Sequence, residues 1–463
     1  MTDKHVNIPE ELKNSMVRLL KFGEVPEDQA QLFLSQMELY KRIKPQSFDE
    51  RELAKIREKI SPIFFDLYRT IFKKLLSGSY DDRLYQMFIN YAYMDEEILN
   101  PEQVNTLYGM LDETETPGHY PLYNLADWLK KIYSQEKDPS VNEFEQDYYE
   151  VFRELKKRGE IQEADKAAYE NDVERRLSHE IDNLFRLGQR ICCGQVATYL
   201  PLLHSGMISK DLASARLTGE KLTDSFRRVL NVDFSAFHRE IVYYRPELIA
   251  NKELIMKQIF PYVILVPTFG ARAVMWQEIT GRVRNSPGRL LFPLFTAENL
   301  DDLVVDIMAR FRWELSRTMS SSVQNDSHQN SLVGEYSDYI QFYKKNAELS
   351  GEAKEKLRVQ IDKYRNNAGD IFAADYHTWV NYESRGMLRL NKVARNILFK
   401  YCPFSRQIRQ DLTKHPLYSP MITRYDNIRS KKLTLMEARY TRIVKRGLTL
   451  DADLNGNLMF HRM

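Results

Sequence analysis

Apolar residues recur every three or four positions along most of the chain, and this spacing predicts a mainly α-helical fold built from many helices. Residues 9–76 show it first, and Pro62 is expected to kink or divide the helix there. Residues 162–199 predict another long helix, and Thr296 is expected to cap an amphipathic helix over residues 300–315. We therefore expect a multi-helix protein with two to three helical subdomains.

One stretch departs from helical spacing. Residues 259–266 and 290–295 are short apolar runs rich in β-branched and aromatic residues, and each is typical of a buried strand. The segment between them, 271–279, predicts a helix. Prolines in the first run lack the N–H that a sheet ladder requires. The sequence therefore predicts a small extended or β element near residues 259–295.

A polar segment, 320–335, is the best candidate for a linker. It suggests a division into three segments. Residues 1–160 are helical and acidic in their second half, residues 161–319 form a central helical core with short strands and an arginine cluster, and residues 336–463 form a basic helical region. The end, 448–463, is expected to be extended, with a turn at Asn455-Gly456.

Composition indicates a globular protein of a reducing compartment. The chain of 463 residues is 43% hydrophobic and 29% charged. Its three cysteines, Cys192, Cys193 and Cys402, do not have the spacing of a disulfide framework. The N-terminus lacks the apolar core of a signal peptide, and the longest apolar run is too short to cross a bilayer. We expect a cytoplasmic protein with no membrane insertion.

Charge is strongly segregated although the net charge is only +2. Residues 91–150 contain 14 acidic and 3 basic side chains, whereas residues 385–447 contain 16 basic and 3 acidic ones. The favoured interpretation is that the basic region docks on the acidic half of the chain or on an acidic protein partner. Its candidate binding residues are Arg406, Arg409, Lys431, Lys432, Arg439 and Arg442.

Nucleic-acid binding is the alternative for the same region. Basic residues neutralise phosphates, and aromatic rings can stack on bases. The segment interleaves its bases with such rings, which are Phe399, Tyr401, Phe404, Tyr418, Tyr425 and Tyr440. Under this alternative, binding would fall steeply as salt rises.

Four arginines form a second candidate site, for a small anionic ligand such as a nucleotide or phosphate. They are Arg272, Arg282, Arg284 and Arg289, and they flank a Ser-Pro-Gly turn. Guanidinium groups bind phosphate and carboxylate through two parallel hydrogen bonds. Neither known glycine-rich phosphate loop is present. The competing interpretation is that these arginines pair with acidic residues of the chain itself.

Catalytic motifs do not rise above background. The chain lacks GxSxG, and His179-Glu180 lacks the second histidine of a zinc-protease helix. We expect no metal and no cofactor. The sequence therefore predicts a non-enzymatic regulatory or adaptor protein that binds a protein partner. An enzyme acting on a phosphorylated substrate remains an alternative, because His204, His377 or a cysteine could meet the arginines in the fold.

Overall fold

The computed structural model describes residues 15–42, 50–78, 82–113, 120–142, 146–187, 203–277, 287–317 and 331–463. It is 62% helical, with 19 α-helices among these residues and few strands. The predicted mainly α, multi-helix fold with a small β element is confirmed. Among the described residues, no helix is both long enough and apolar enough to span a bilayer.

In chain order, the helices of the first half are α1 (Ser15–Phe22), α2 (Glu27–Lys41), α3 (Glu50–Leu76), α4 (Arg83–Tyr91), α5 (Pro101–Met110), α6 (Leu125–Tyr133), α7 (Tyr148–Lys157), α8 (Lys166–Asn171), α9 (Val173–Leu187), α10 (Leu212–Ala215) and α11 (Gly219–Val232). The helices of the second half are α12 (Leu300–Arg317), α13 (Leu332–Gln341), α14 (Gly351–Lys363), α15 (Ala368–Asn381), α16 (Lys392–Tyr401), α17 (Arg406–Asp411), α18 (Tyr418–Lys445) and α19 (Ala452–Arg462). The strands are β1 (Leu122–Asn124), β2 (His238–Tyr243), β3 (Glu253–Gln258), β4 (Tyr262–Phe269), β5 (Val274–Gln277) and β6 (Arg289–Phe295).

The chain forms two compact units. Unit 1 comprises Met1–Lys221, Tyr262–Gln277 and Arg289–Glu298, and unit 2 comprises Leu222–Pro261, Glu278–Gly288 and Asn299–Met463. The division into three segments stays a prediction. Of the predicted linker 320–335, residues 320–330 lie outside the described part of the chain, whereas α13 begins at Leu332.

Unit 1 contains a four-stranded sheet in the order β1-β4-β6-β5. β4 is parallel to both β1 and β6, while β5 is antiparallel to β6. Every residue of β6 is buried, as are the six central residues of β4. Parallel strands covered on both faces need such continuous apolar runs. The two runs predicted as strands therefore form the centre of this sheet.

The helix predicted over residues 271–279 is wrong within its described part. Residues Val274–Gln277 form β5, with Met275 opposite Leu290. Backbone pairing along the edge of β6 outweighs the helical preference of this short segment. Strand β4 bulges between Val266 and Phe269, and this irregularity accommodates Pro267.

Helix α3 of unit 1 runs unbroken through Pro62. Of the two expectations for this proline, division of the helix is wrong, whereas a kink at Pro62 stays a prediction. Ile60, Phe64, Leu67 and Ile71 lie on its buried face, with Pro62 on the exposed side. Burial of this apolar stripe holds the helix together across the hydrogen bond that proline cannot donate.

Unit 2 combines α-helices with the antiparallel hairpin β2–β3, which the sequence did not predict. Tyr243 and Ile255 of the hairpin pack in one cluster with Tyr440, Ile443 and Leu454 from α18 and α19. The extended end predicted for residues 448–463 is wrong. Asp451 caps α19 by accepting a hydrogen bond from Leu454 N at 2.9 Å. The buried residues of α19 are Leu454, Asn457, Phe460 and His461.

Candidate functional site

Of the four arginines predicted to hold an anionic ligand, the structure places two. Arg272 is exposed just before β5, and Arg289 is the first residue of β6 and is buried. Arg282 and Arg284 lie outside the described residues. The arginine ligand site stays a prediction.

Arg289 is held by a polar network inside unit 1. Its guanidinium donates to the Ser140 hydroxyl and, at 2.6 Å, to the Asp138 carbonyl, and it lies 3.6 Å from the Glu180 carboxylate. Its guanidinium carbon also sits 4.7 Å from the centre of the Trp128 ring. Burial lowers the pKa of Arg289, while Glu180 opposes that shift. Arg289 is therefore a structural brace between β6, α9 and the loop after α6.

Glu180 completes this network. Its carboxylate is fully buried and accepts hydrogen bonds from Trp128 Nε1 at 2.6 Å and from the Ser140 hydroxyl at 2.7 Å. Its neighbour His179 places Nε2 3.0 Å from the Ser140 carbonyl, and burial lowers the pKa of that imidazole. No group of three or more His, Cys, Asp or Glu side chains in the described ranges could hold a metal ion.

The six candidate residues of the basic region fall into two groups. Arg409 is buried and pairs with Asp426 at 2.9 Å, and the exposed Arg439 pairs with Glu253, so both have acidic partners within unit 2. The other four have exposed side chains, and none forms an ion pair with any described acidic residue. They are Arg406, Lys431, Lys432 and Arg442.

Three of those four residues lie on α18, which we call the basic helix. Its inner face carries the buried residues Ile422, Tyr440 and Ile443. On the same side, Arg429 donates to the carbonyls of Phe460 and His461 at the end of α19. The basic helix is thus anchored along one face, while the rest of its 28 residues face solvent.

The solvent side of the basic helix carries an ordered stripe. It consists of Arg424, Ile428, Lys431, Leu435 and Arg442, and we call it the outer stripe. At 100° per residue these positions fall within an arc of about 60°. Ile428 is 59% exposed and Leu435 is 71% exposed, the largest value among the exposed large apolar residues. Basic and large apolar side chains therefore alternate along one exposed line.

The aromatic residues of the basic region do not share this exposure. Phe399, Phe404, Tyr418 and Tyr440 are all buried in the core of unit 2. Trp379 stacks on Phe404 with 4.0 Å between ring centres. Tyr425 is packed between the guanidinium groups of Arg409 and Arg429. These rings build the core and are not presented to bases.

Each charged stretch is partly neutralised within its own unit. In the acidic stretch, Asp95 pairs with Lys41 at 2.7 Å and Asp112 pairs with Arg83 at 2.8 Å. In the basic region, Arg395 pairs with Glu383 at 2.7 Å. Docking of the basic region on the acidic stretch stays a prediction. The remaining cations of the outer stripe, Arg424, Lys431 and Arg442, make no ion pair with the residues that the structure describes.

The sequence interpretation missed Arg424, Ile428 and Leu435. A helical wheel over residues 418–445 would have placed all three with Lys431 and Arg442. The sequence did not show which side of the helix faces the core, because that side carries few apolar residues.

Comparison with known protein families finds a match for part of the chain. Residues 321–460 match a family described as Domain of unknown function (DUF8509). This segment contains α13 to α18 and nearly all of α19, and therefore the whole outer stripe. No curated protein matches the chain. No solved structure matches it either.

Proposed function

We propose that this chain is a non-enzymatic binding protein, regulatory or adaptor-like, whose outer stripe docks on an acidic protein partner. The observation that carries this proposal is the alternation of Arg424, Lys431 and Arg442 with Ile428 and Leu435 on one exposed line. Arginine is enriched at protein interfaces, and apolar residues exposed along one line offer a partner contact area.

A protein partner fits this composition better than a nucleic acid does. Cations alone are sufficient to bind phosphates, and phosphates make no apolar contact with Ile428 or Leu435. Stacking on bases would require exposed rings, and Phe399, Phe404, Tyr418 and Tyr440 are buried. A protein surface with carboxylates around an apolar groove satisfies both kinds of side chain.

The anchoring of the basic helix also supports the proposal. Its inner face packs on α19 and on the β2–β3 hairpin, so the outer stripe is already ordered before a partner arrives. Binding to a preformed helix avoids the conformational entropy that a disordered segment would lose. A partner that contacts the whole outer stripe needs a groove about 27 Å long, which is the helical rise from residue 424 to residue 442.

A cytoplasmic location is part of the proposal. Cys402 is a free, buried thiol in the core of unit 2. Burial raises its pKa to about 12, with Asp233 adding to the shift. A thiol of this kind stays protonated at neutral pH and suits a reducing compartment.

Photocrosslinking tests the proposal. In the full chain, expressed in its native cells, the photocrosslinking residue benzoylphenylalanine would replace Leu435. As a control, the same residue would replace Val359 on α14, whose side chain is 56% exposed. We expect a protease-sensitive adduct at Leu435 that the Arg424→Glu/Arg442→Glu double variant abolishes. An adduct that nuclease removes, or equal yields at both positions, would overturn the proposal.

A further inference from the structure

The helix α2 carries a second stripe that complements the outer stripe of the basic helix. Its inner face holds the buried residues Phe33, Gln36, Met37 and Tyr40. Its exposed side shows Asp28, Leu32, Ser35 and Leu39 in one line, and we call this line the acidic stripe. Leu32 is 41% exposed and Leu39 is 49% exposed.

The two stripes have the same spacing. Asp28, Leu32, Ser35 and Leu39 follow one another at intervals of four, three and four residues, and so do Arg424, Ile428, Lys431 and Leu435. Two helices laid side by side can therefore match both apolar positions at once, about 10.5 Å apart along each axis.

A parallel alignment of the two stripes brings opposite charges together. In a parallel arrangement, Leu32 meets Ile428, Leu39 meets Leu435, and Asp28 falls beside Arg424. Neither Asp28 nor Arg424 makes an ion pair with another residue in the described part of the chain. The acidic residues Glu27 and Glu38 lie beside the acidic stripe and are exposed, and Glu38 also pairs with Lys41 of α2 at 3.1 Å. With Asp28 they leave α2 negatively charged, which complements the charge of the basic helix.

We infer that the acidic partner of the outer stripe is a second copy of this chain, held through its acidic stripe. This inference rests on the proposed function and names the partner for the same surface. The contact joins two different surfaces, so it is heterologous and supports assembly beyond a dimer unless the arrangement closes. It matches only two apolar pairs, which fits a weak, concentration-dependent association.

Sedimentation velocity of the purified full chain, over a range of concentration and salt, tests the inference. We expect reversible self-association that weakens as salt screens the Asp28–Arg424 pair. Leu39→Lys on α2 and Leu435→Lys on the basic helix should each raise the dissociation constant about tenfold or more, because each removes one apolar contact. Val359→Lys, at an exposed apolar position of α14, should leave it unchanged.

A charge exchange gives the sharper result. Asp28→Arg and Arg424→Asp should each weaken association, and the two together should restore it. A chain that stays monomeric at the highest concentration reached, or an association that ignores the stripe variants, would overturn the inference. A monomeric chain whose Leu435 probe crosslinks to a different protein would overturn the inference alone and leave the proposed function in place.

Discussion

Arg395 Nε lies 2.7 Å from Glu383 Oε2, and both side chains are buried within unit 2. The same carboxylate also accepts hydrogen bonds from the backbone amides of Arg389 at 2.6 Å and Leu390 at 2.7 Å, and from the Tyr418 hydroxyl. One carboxylate therefore joins α16, the first turn of the basic helix and the loop that precedes α16. This junction holds the basic helix at its first turn.

Glu383→Ala should destabilise the protein strongly. It leaves the Arg395 guanidinium buried without a counter-charge, at a cost of about 3 to 5 kcal/mol. Urea unfolding followed by circular dichroism measures the change. Glu352→Ala removes an exposed partner of Lys356 on α14 and should not shift the unfolding midpoint. Equal midpoints for the two variants would contradict the buried role of Glu383.

Acid should weaken the same junction. Burial opposes ionisation of Glu383, but the hydrogen bonds from Arg395 and Tyr418 outweigh it and lower the pKa of the carboxyl. A lowered carboxyl pKa adds stability at pH values above that of the unfolded chain, and the stability is lost as pH falls through the folded pKa. The difference in unfolding free energy between the native chain and Glu383→Ala should shrink over that acidic range. A constant difference would count against this assignment.

Asp375 should show the opposite dependence. Burial raises its pKa to about 6, against hydrogen bonds from the Tyr336 hydroxyl and Gln360. Because the folded state holds this proton more tightly, its stability should rise as pH falls from about 6 towards about 4, by roughly 1 to 3 kcal/mol.

The matched variant for this effect is Asp375→Asn, which keeps the shape and removes the charge. Above pH 6 it should be at least as stable as the native chain, and the difference should vanish near pH 4. Urea midpoints at several pH values give the comparison. A variant that is destabilised equally at every pH would show that Asp375 does not carry the effect.

Arg289→Ala distinguishes a structural arginine from a ligand-binding one. It would leave Glu180 buried without its cation, so the free energy of unfolding should fall by about 3 to 5 kcal/mol in the absence of any ligand. Arg272→Ala, at an exposed position, should leave stability unchanged. The emission of Trp128, which donates to Glu180 at 2.6 Å, reports locally on the same network. If Arg289→Ala is as stable as the native chain, Arg289 is not structural and becomes a candidate ligand-binding residue again.

Pro62→Ala should stabilise the chain. Pro62 lies inside α3, where it cannot donate to the carbonyl four residues earlier, and its side chain is exposed. Alanine restores that hydrogen bond, which should be worth roughly 1 to 3 kcal/mol. Lys59→Ala on the exposed side of the same helix is the control. A loss of stability in Pro62→Ala would mean that the fold requires the proline at this point.

The sequence predicted the parts of the fold that periodicity governs. The buried runs of β4 and β6 and the stripe of α12 all follow from spacing and composition. It failed at β5 and at the β2–β3 hairpin, where pairing partners distant in sequence decide the conformation. It also failed at α19, where Asp451 provides the cap and Gly456 is tolerated inside the helix.

The candidate site was only partly predictable for a related reason. Net charge located the basic region but could not separate Arg409, which is buried against Asp426, from Lys431, which is exposed. The nucleic-acid alternative requires aromatic residues such as Phe404 and Tyr418 to be available for stacking, whereas they fill the core. Which side of a helix is buried depends on the elements packed against it, and composition alone does not carry that information.

The central claim is that apolar and basic side chains of the outer stripe act together. The most direct test keeps every charge of the outer stripe and removes only its apolar contacts. It compares the yield of protein adduct from a photocrosslinker at Lys432, beside the stripe, in the native background and in Ile428→Ser/Leu435→Ser. We predict that the double variant remains folded and loses most of the adduct. Full retention of the adduct would contradict the account, because charge alone would then be sufficient for binding.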